Sequence, residues 1–224
     1  MRTYDQYCAA AKALDVVGDR WTLLIVRELL IGQPLRYTDL RYGLPGIATN
    51  LLADRLRELE AQGVITGELA PPPIATTVFR LTPRGEALKS VLVALGEWGA
   101  PLLADVPDDI SFRTHWLTLP LELKLVDHTP DLPPITIELR TGDQPVVLET
   151  LDGHVRVRPG TTDAPDAVLT GPPPVVTSLV LGRIDLETAR TRGLNLEGDP
   201  GALRRVQPAA VPRKSVRMRE SPKV

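Results

Sequence analysis

The chain has 224 residues, 43% of them apolar and 24% charged, with a net charge of −2. That length is comfortable for two domains, and that apolar content for a real core in each. One cysteine excludes an intramolecular disulfide and an all-cysteine metal site, and the lack of any apolar run of eighteen excludes a membrane-spanning helix. The beginning, MRTYDQYC, does not read as a secretory leader, so a soluble, cytoplasmic protein with no membrane partner is expected. Neither half is strongly basic, which weighs against nucleic-acid binding, although a basic strip can hide inside a neutral total. The 22 prolines cluster at Pro71–Pro73, Pro133–Pro134 and Pro172–Pro174, which mark loops.

In chain order, Tyr4 to Val17 predicts a helix containing Cys8, with Tyr7, Ala10, Leu14 and Val17 on one side. Gly18-Asp19 breaks it, and Asp19 is a candidate N-cap for a second, widely apolar helix over Arg20–Leu30 that ends at Gly32. Tyr37, Leu40 and Leu44 form the stripe of a short third helix, which Pro45-Gly46 terminates. The period restarts at Ala48. Leu52, Leu56 and Leu59 face inward, Asn50, Asp54, Arg57 and Glu58 face outward, Thr49 and Ala53 lie on the flank, and Gly63 ends the helix. Two short helices with a Gly-containing corner fit a helix-turn-helix whose second helix presents its N-terminal residues to base edges. An ordinary helical hairpin in a core is the other reading of the same pattern. Gly63–Thr66 starts a strand and Thr77–Leu81 makes its return, around a Pro-rich loop, which predicts a wing. Thr82-Pro83 opens a helix whose stripe, Leu88, Val91, Leu92, Leu95 and Trp98, exceeds what one small core can cover, so a homodimer is expected.

After a charged linker over 105–109, Phe112–Val126 predicts a helix that Pro120 kinks or restarts, with a strand also permitted beyond it. From Ile135 the pattern is β. Ile135–Arg140 alternates apolar and polar, and Val146–Leu151 and Val155–Val157 flank the hairpin signal Asp152-Gly153. Ala167–Leu169 is a short strand, and Pro174–Leu181 a helix ended by Gly182. Asp185 caps a helix over Leu186–Thr191, Leu194–Glu197 is a strand, and Asp199 caps a last helix over Pro200–Val206. Arg213 to Lys223 holds five basic residues and one acidic, which predicts a basic, flexible tail over 209–224.

Several motifs stand in one order: Cys8; Val17–Thr22; Leu29–Gly32; Arg36-Tyr37 with Leu40; Arg55-Leu56 with Leu59; Leu81-Thr82 with Gly85; Trp98-Gly99. In this the chain resembles the HxlR family of winged helix-turn-helix transcriptional regulators over about residues 5–103. The resemblance implies a dimer on a roughly palindromic double-stranded operator, one recognition helix per half-site. Two departures stand out. Ala48 replaces a frequent Ser or Thr cap, and Gly67-Glu68 stands where the wing is usually basic, so Glu68 would repel a phosphate. The candidate DNA contacts are Arg36, Thr38, Arg41, Thr49, Asn50, Ala53, Arg55, Arg57 and Arg80. Asn50 suits adenine and the arginines suit phosphates, while a solvated surface role is the plainer reading for any one arginine. The resemblance also makes Cys8 a candidate redox sensor; a small residue buried in a helix interface is the preferred reading.

Asp166–Gly171, Leu181–Ile184 and Leu194 through Gly198-Asp199-Pro200 resemble sterol carrier protein type two domains, over about residues 110–208. That implies helices on a twisted sheet and a hydrophobic small-molecule ligand. Trp116, Leu119, Leu123, Ile137, Leu179 and Leu181 are its candidate lining, and a packed core without a cavity is the alternative. The expected fold is thus α+β: a winged helix-turn-helix domain for DNA binding and dimerisation over 1–105, then an α/β sterol-carrier-like domain over 110–208. His115, His128 and His154 lack ligand spacing, and no Gly-x-Ser-x-Gly or phosphate-loop pattern occurs, so no catalytic residue, metal or cofactor is expected. The expected function is a ligand-modulated regulator. The alternative is a hydrophobic-ligand carrier that uses the winged helix as a dimer scaffold.

Overall fold

A computed structural model describes residues 3–105 and 110–209. Most of the expected linker and tail lies outside the described residues.

The N-terminal half runs α1 (Ala9–Val17), α2 (Thr22–Gly32), β1 (Leu35–Arg36), α3 (Tyr37–Gly43), α4 (Thr49–Ala61), β2 (Ile65–Leu69), β3 (Thr77–Leu81), α5 (Pro83–Glu86) and α6 (Lys89–Gly99). Its core joins Ile25, Val26 and Leu29 of α2, Leu40 of α3, and Leu52, Leu56 and Leu59 of α4. Leu44 and Ile47, either side of the Pro45-Gly46 corner, are buried there too. Gly46 has φ +89°, in the region glycine favours. The three-stranded sheet has the order β1-β3-β2.

Three local expectations are corrected. The first helix starts at Ala9 rather than Tyr4, because the preceding segment folds back onto Asp15, whose carboxylate accepts the Tyr4 N–H at 2.9 Å and the Thr3 hydroxyl at 3.1 Å. Asp19 does not cap α2, which begins after Trp21 without a side-chain cap; the Asp19 carboxylate instead pairs with Arg55. The long helix from Thr82 is split in two. The Thr82 hydroxyl caps α5 and also donates to Gly63 O at 2.6 Å, which ties that turn to the end of α4. Leu88 and Leu92 then reach the core, while Val91, Leu95 and Trp98 stay exposed.

The C-terminal half begins with a 3-10 turn (Thr114–Leu117) that passes into α7 (Thr118–Lys124) and β4 (Leu125–Asp127). Pro120 neither kinks nor restarts α7, since it falls in the first turn, where no backbone donor is needed. There follow β5 (Thr136–Arg140), β6 (Val146–Leu151), β7 (His154–Pro159), β8 (Ala167–Thr170), α8 (Pro173–Val180), α9 (Leu186–Thr191), β9 (Asn195–Gly198), α10 (Pro200–Arg205) and β10 (Val206–Pro208). The seven strands stand in the order β10-β4-β7-β6-β5-β8-β9, antiparallel except for β5 beside β8. Asp152 and Gly153 take φ +50° and +79°, as a tight hairpin turn requires. Asp185 and Asp199 cap α9 and α10 as expected. The alternation in β5 fails at Glu138, which is fully buried. Its carboxylate accepts from Arg140 at 2.7 Å and from the Thr162 N–H at 3.2 Å, and these bonds outweigh the cost of burial and hold its pKa below the ordinary value.

The halves meet at a polar junction. Glu28 of α2 is 3% exposed. Arg27 donates to one of its carboxylate oxygens at 2.6 Å, and Trp116 Nε1 to the same oxygen at 3.0 Å. His115 Nε2 lies 2.7 Å from the other oxygen. The Arg27 guanidinium also sits 4.5 Å from the centre of the Trp116 ring. Gly43 makes room for this cluster, since a Cβ there would overlap the Glu28 carboxylate. Beside it, the Tyr42 hydroxyl donates to Asp143, and the Thr114 N–H donates to Asp143 at 2.9 Å. Burial opposes ionisation of Asp143, but these bonds prevail and its pKa lies below the usual carboxylate value.

Candidate nucleic-acid interface

The sequence places two short helices at a corner, and the structure fixes their mutual position through Tyr37, whose hydroxyl donates to Thr49 O at 2.7 Å in the first turn of α4. The inner stripe of α4 leaves Thr49, Asn50, Asp54 and Arg57 exposed and Ala53 half-buried. Ala48, the residue before α4, offers no side-chain cap, as its identity predicts. Asn50 Oδ1 accepts the Leu51 N–H at 3.0 Å. A cleft of about 380 Å³ separates this face from the wing; Ala53 and Arg57 line one side, Thr77 and Phe79 the other. Glu60 holds the wing to α4 by accepting the Gly67 N–H at 2.9 Å.

The candidate arginines divide by their partners. Arg57 pairs with Asp54, Arg36 with Asp39 and Arg80 with Glu68, each pair substantially exposed. Exposed pairs are worth about 0–1 kcal/mol, so a DNA phosphate can displace such a carboxylate. The Arg80 pairing also cancels the charge of Glu68, so the wing is locally neutral rather than repulsive. Thr38 and Arg41 are exposed on α3. Arg55 has different surroundings. At 100° per residue it lies about 200° round α4 from Ala53. It bridges Asp19 and Glu58 in a second cleft of about 610 Å³, bounded by the N-terminal segment. Its charge is committed there and faces away from the wing cleft.

Cys8, preferred above as a buried residue inside a helix, is exposed and precedes α1 in extended conformation. Of the candidate ligand-lining residues, Ile137 and Leu179 are buried in the C-terminal core, and Leu181 packs against it. Trp116 instead belongs to the junction with α2, Leu119 is half-buried, and Leu123 is 45% exposed. The apolar phase of α7 runs through Leu117, Leu121 and Leu125, and these are the residues facing the core. Glu28 was missed in the sequence, although a lone carboxylate within the apolar run Arg20–Leu30 is a signal of a buried partner.

These helices and strands make the N-terminal half a winged helix-turn-helix. Residues 16–106 match the HxlR-like helix-turn-helix family, and residues 133–211 match the SCP-2 sterol transfer family. The uncharacterized HTH-type transcriptional regulator YvaP of Bacillus subtilis (strain 168) is 34% identical over 87 residues, which cover 39% of this chain and 80% of YvaP. The uncharacterized HTH-type transcriptional regulator sll1512 of Synechocystis sp. is 33% identical over 107 residues, 48% of this chain and 78% of its own length. Among solved structures, the reduced form of the transcriptional regulator YodB from B. subtilis is 27% identical, spans 46% of this chain and 100% of its own, and superposes with a TM-score of 0.39. The chain belongs to the HxlR-like family of helix-turn-helix transcriptional regulators, and it carries an SCP-2-type domain C-terminal to the winged helix. Among the described residues, no helix is long and apolar enough to cross a membrane.

Proposed function

We propose that the chain is a dimeric operator-binding regulator whose DNA affinity is set by a hydrophobic small molecule in its C-terminal domain. In this division of labour, residues 1–105 bind DNA and dimerise, residues 110–208 hold the ligand, and the basic stretch over 209–224 adds phosphate contacts. The observation that carries the DNA reading is the open face of α4, with Thr49, Asn50, Ala53 and Arg57 beside the wing cleft. Asn50 there serves base readout, and Arg36, Thr38, Arg41, Arg57 and Arg80 serve the backbone. A ligand acts only through its differential affinity for the DNA-competent arrangement of the two heads.

The test is fluorescence anisotropy of the chain on its own upstream DNA across a salt series, with an unrelated duplex of equal length as control. Asn50→Ala is expected to weaken specific binding by about 1–3 kcal/mol, roughly five- to hundredfold, with little change on the control. Arg41→Ala is expected to weaken both and to reduce the salt slope by about one phosphate contact. No preference over the control at low salt would overturn the regulator reading in favour of a hydrophobic-ligand carrier. The pairing of Arg36, Arg57 and Arg80 with carboxylates is the observation on that side.

A further inference from the structure

The two family-matched ranges end at residue 106 and begin at residue 133, so the segment between them belongs to neither. Within it, the stretch from Thr114 to Leu125 touches both halves at once. Leu117, Leu121 and Leu125 point into the C-terminal core. His115 and Trp116, two residues and one residue before Leu117, grip the carboxylate of Glu28. Glu28 sits in α2 between Ile25 and Leu29, both fully buried in the DNA-binding core. Its carboxylate also fills the space at Gly43, the last residue of α3 and six before α4 begins. One buried group is therefore in contact with the connecting segment, with α2 and with the end of the first helix of the helix-turn-helix.

From this geometry we infer that Glu28 is a positioning residue: it transmits the packing state of the C-terminal domain to α3 and α4 through His115 and Trp116. Three features make the contact suited to that task. The carboxylate is held by three donors or donor-capable groups, so it has a fixed place rather than a range of them. A buried carboxylate that loses its partners is costly, so a shift of the 3-10 turn cannot leave Glu28 behind. And Gly43 leaves no slack, because the helix end is already in contact with the carboxylate. Any rearrangement that moves Leu117 or Leu121 must displace His115 and Trp116 or carry Glu28 with them. The inference rests on the reading of the C-terminal domain as the sensing half.

The test is a double-mutant cycle on the full chain, read by hydrogen exchange and by anisotropy on the upstream DNA. Leu169→Ala, in the C-terminal core, loosens that domain without touching the junction. Glu28→Gln keeps the shape and removes the charge. With Glu28 in place, Leu169→Ala is expected to speed exchange of amides 22–43 and to weaken DNA binding, each by on the order of tenfold. In the Glu28→Gln background the same substitution is expected to change both by less than about twofold, while the C-terminal strands remain fast. Amides 22–43 unmoved by Leu169→Ala in the presence of Glu28 would overturn the inference. So would an equal response in both backgrounds, since the coupling would then run elsewhere. If Leu169→Ala does not fold, Ile137→Val supplies a smaller loosening. If Glu28→Gln does not fold, Trp116→Phe removes the indole donor while keeping an aromatic ring beside Arg27. An oleate titration of the unsubstituted chain tests the sensing reading by itself: absence of binding defeats that reading and leaves the outcome of the cycle unaffected.

Discussion

Replacing Arg205 by methionine is expected to lower the stability of the C-terminal half by about 3–5 kcal/mol, the cost of leaving a buried charge without its partner. Asp127 and Arg205 have side chains only 2% and 10% exposed. The guanidinium grips the carboxylate at two points, 2.8 and 2.7 Å, and donates to the carbonyls of Pro133 at 2.6 Å and Leu132 at 3.1 Å. One side chain thus ties α10 to β4 and to the loop that leads into β5. The bond from Arg205 holds the Asp127 carboxyl below its ordinary pKa, against the opposing effect of burial. The sign follows by linkage. A depressed carboxylate pKa contributes stability that is fully present above the unfolded-state value, about 3.9 for Asp, and is lost as pH falls through the lower folded value. Urea titrations should show that loss on acidification below about pH 4 for the unsubstituted chain, and a smaller one for Arg205→Met. The double variant Asp127→Leu with Arg205→Met should recover most of the stability, because no lone charge remains. A single variant as stable as the parent at neutral pH would show that the pair is not buried in solution.

If the chain is the dimer proposed above, substituting glutamate for Leu95 and Trp98 together is expected to convert it into a monomer and to reduce operator affinity by at least on the order of a hundredfold, because two linked half-site contacts become one. The face in question recurs every three or four residues: Val91, Leu95 and Trp98 on α6, then Leu102 just beyond it. Trp98 is 74% exposed and Leu102 65%, and no residue of α6 is buried. A tryptophan can bury 150–250 Å² or so, so a stripe of this kind suits the subunit contact of the proposed dimer. Sedimentation velocity reads the first effect and anisotropy the second. Because these side chains contribute little to the single-chain core, the monomer should keep its helical circular dichroism. A variant that stays dimeric would place the subunit contact on some other face.

The elements that could be read from the sequence are those with local causes. Pro45-Gly46, Asp152-Gly153, Asp185 and Asp199 fix a corner, a hairpin and two caps through chemistry within a few residues, and each stands where expected. The inner face of α4 followed from the spacing of Leu52, Leu56 and Leu59. What could not be read depends on partners far along the chain. β1 and β10 are two and three residues long and exist because β3 and β4 present free edges to them. Arg55 looked like its neighbour Arg57 in the sequence, and the approach of Asp19 gives it different surroundings. Trp116 and Leu123 are apolar letters on a helix-like run, but the phase of that run is set by which face meets the sheet. Glu28 and His115 are 87 positions apart, beyond the reach of any local pattern.

The strand order carries a consequence for synthesis of the chain. The connecting segment ends in β4, and β4 is flanked by β7 and by β10, which is the last strand of the sheet. When β4 leaves the ribosome, both its neighbours are still to be made, and its outer edge stays unpaired until Val206–Pro208 emerge. The apolar core of the winged helix, built from residues before the connector, can form well before that, while Glu28 meets His115 and Trp116 once the connector follows. A nascent chain therefore presents a winged helix with its apolar core in place, attached to an unfinished sheet with an open, apolar-flanked edge. Arg205, just before β10, arrives with the strand that closes it, so the buried Asp127 meets its counter-charge only in the final step of assembly.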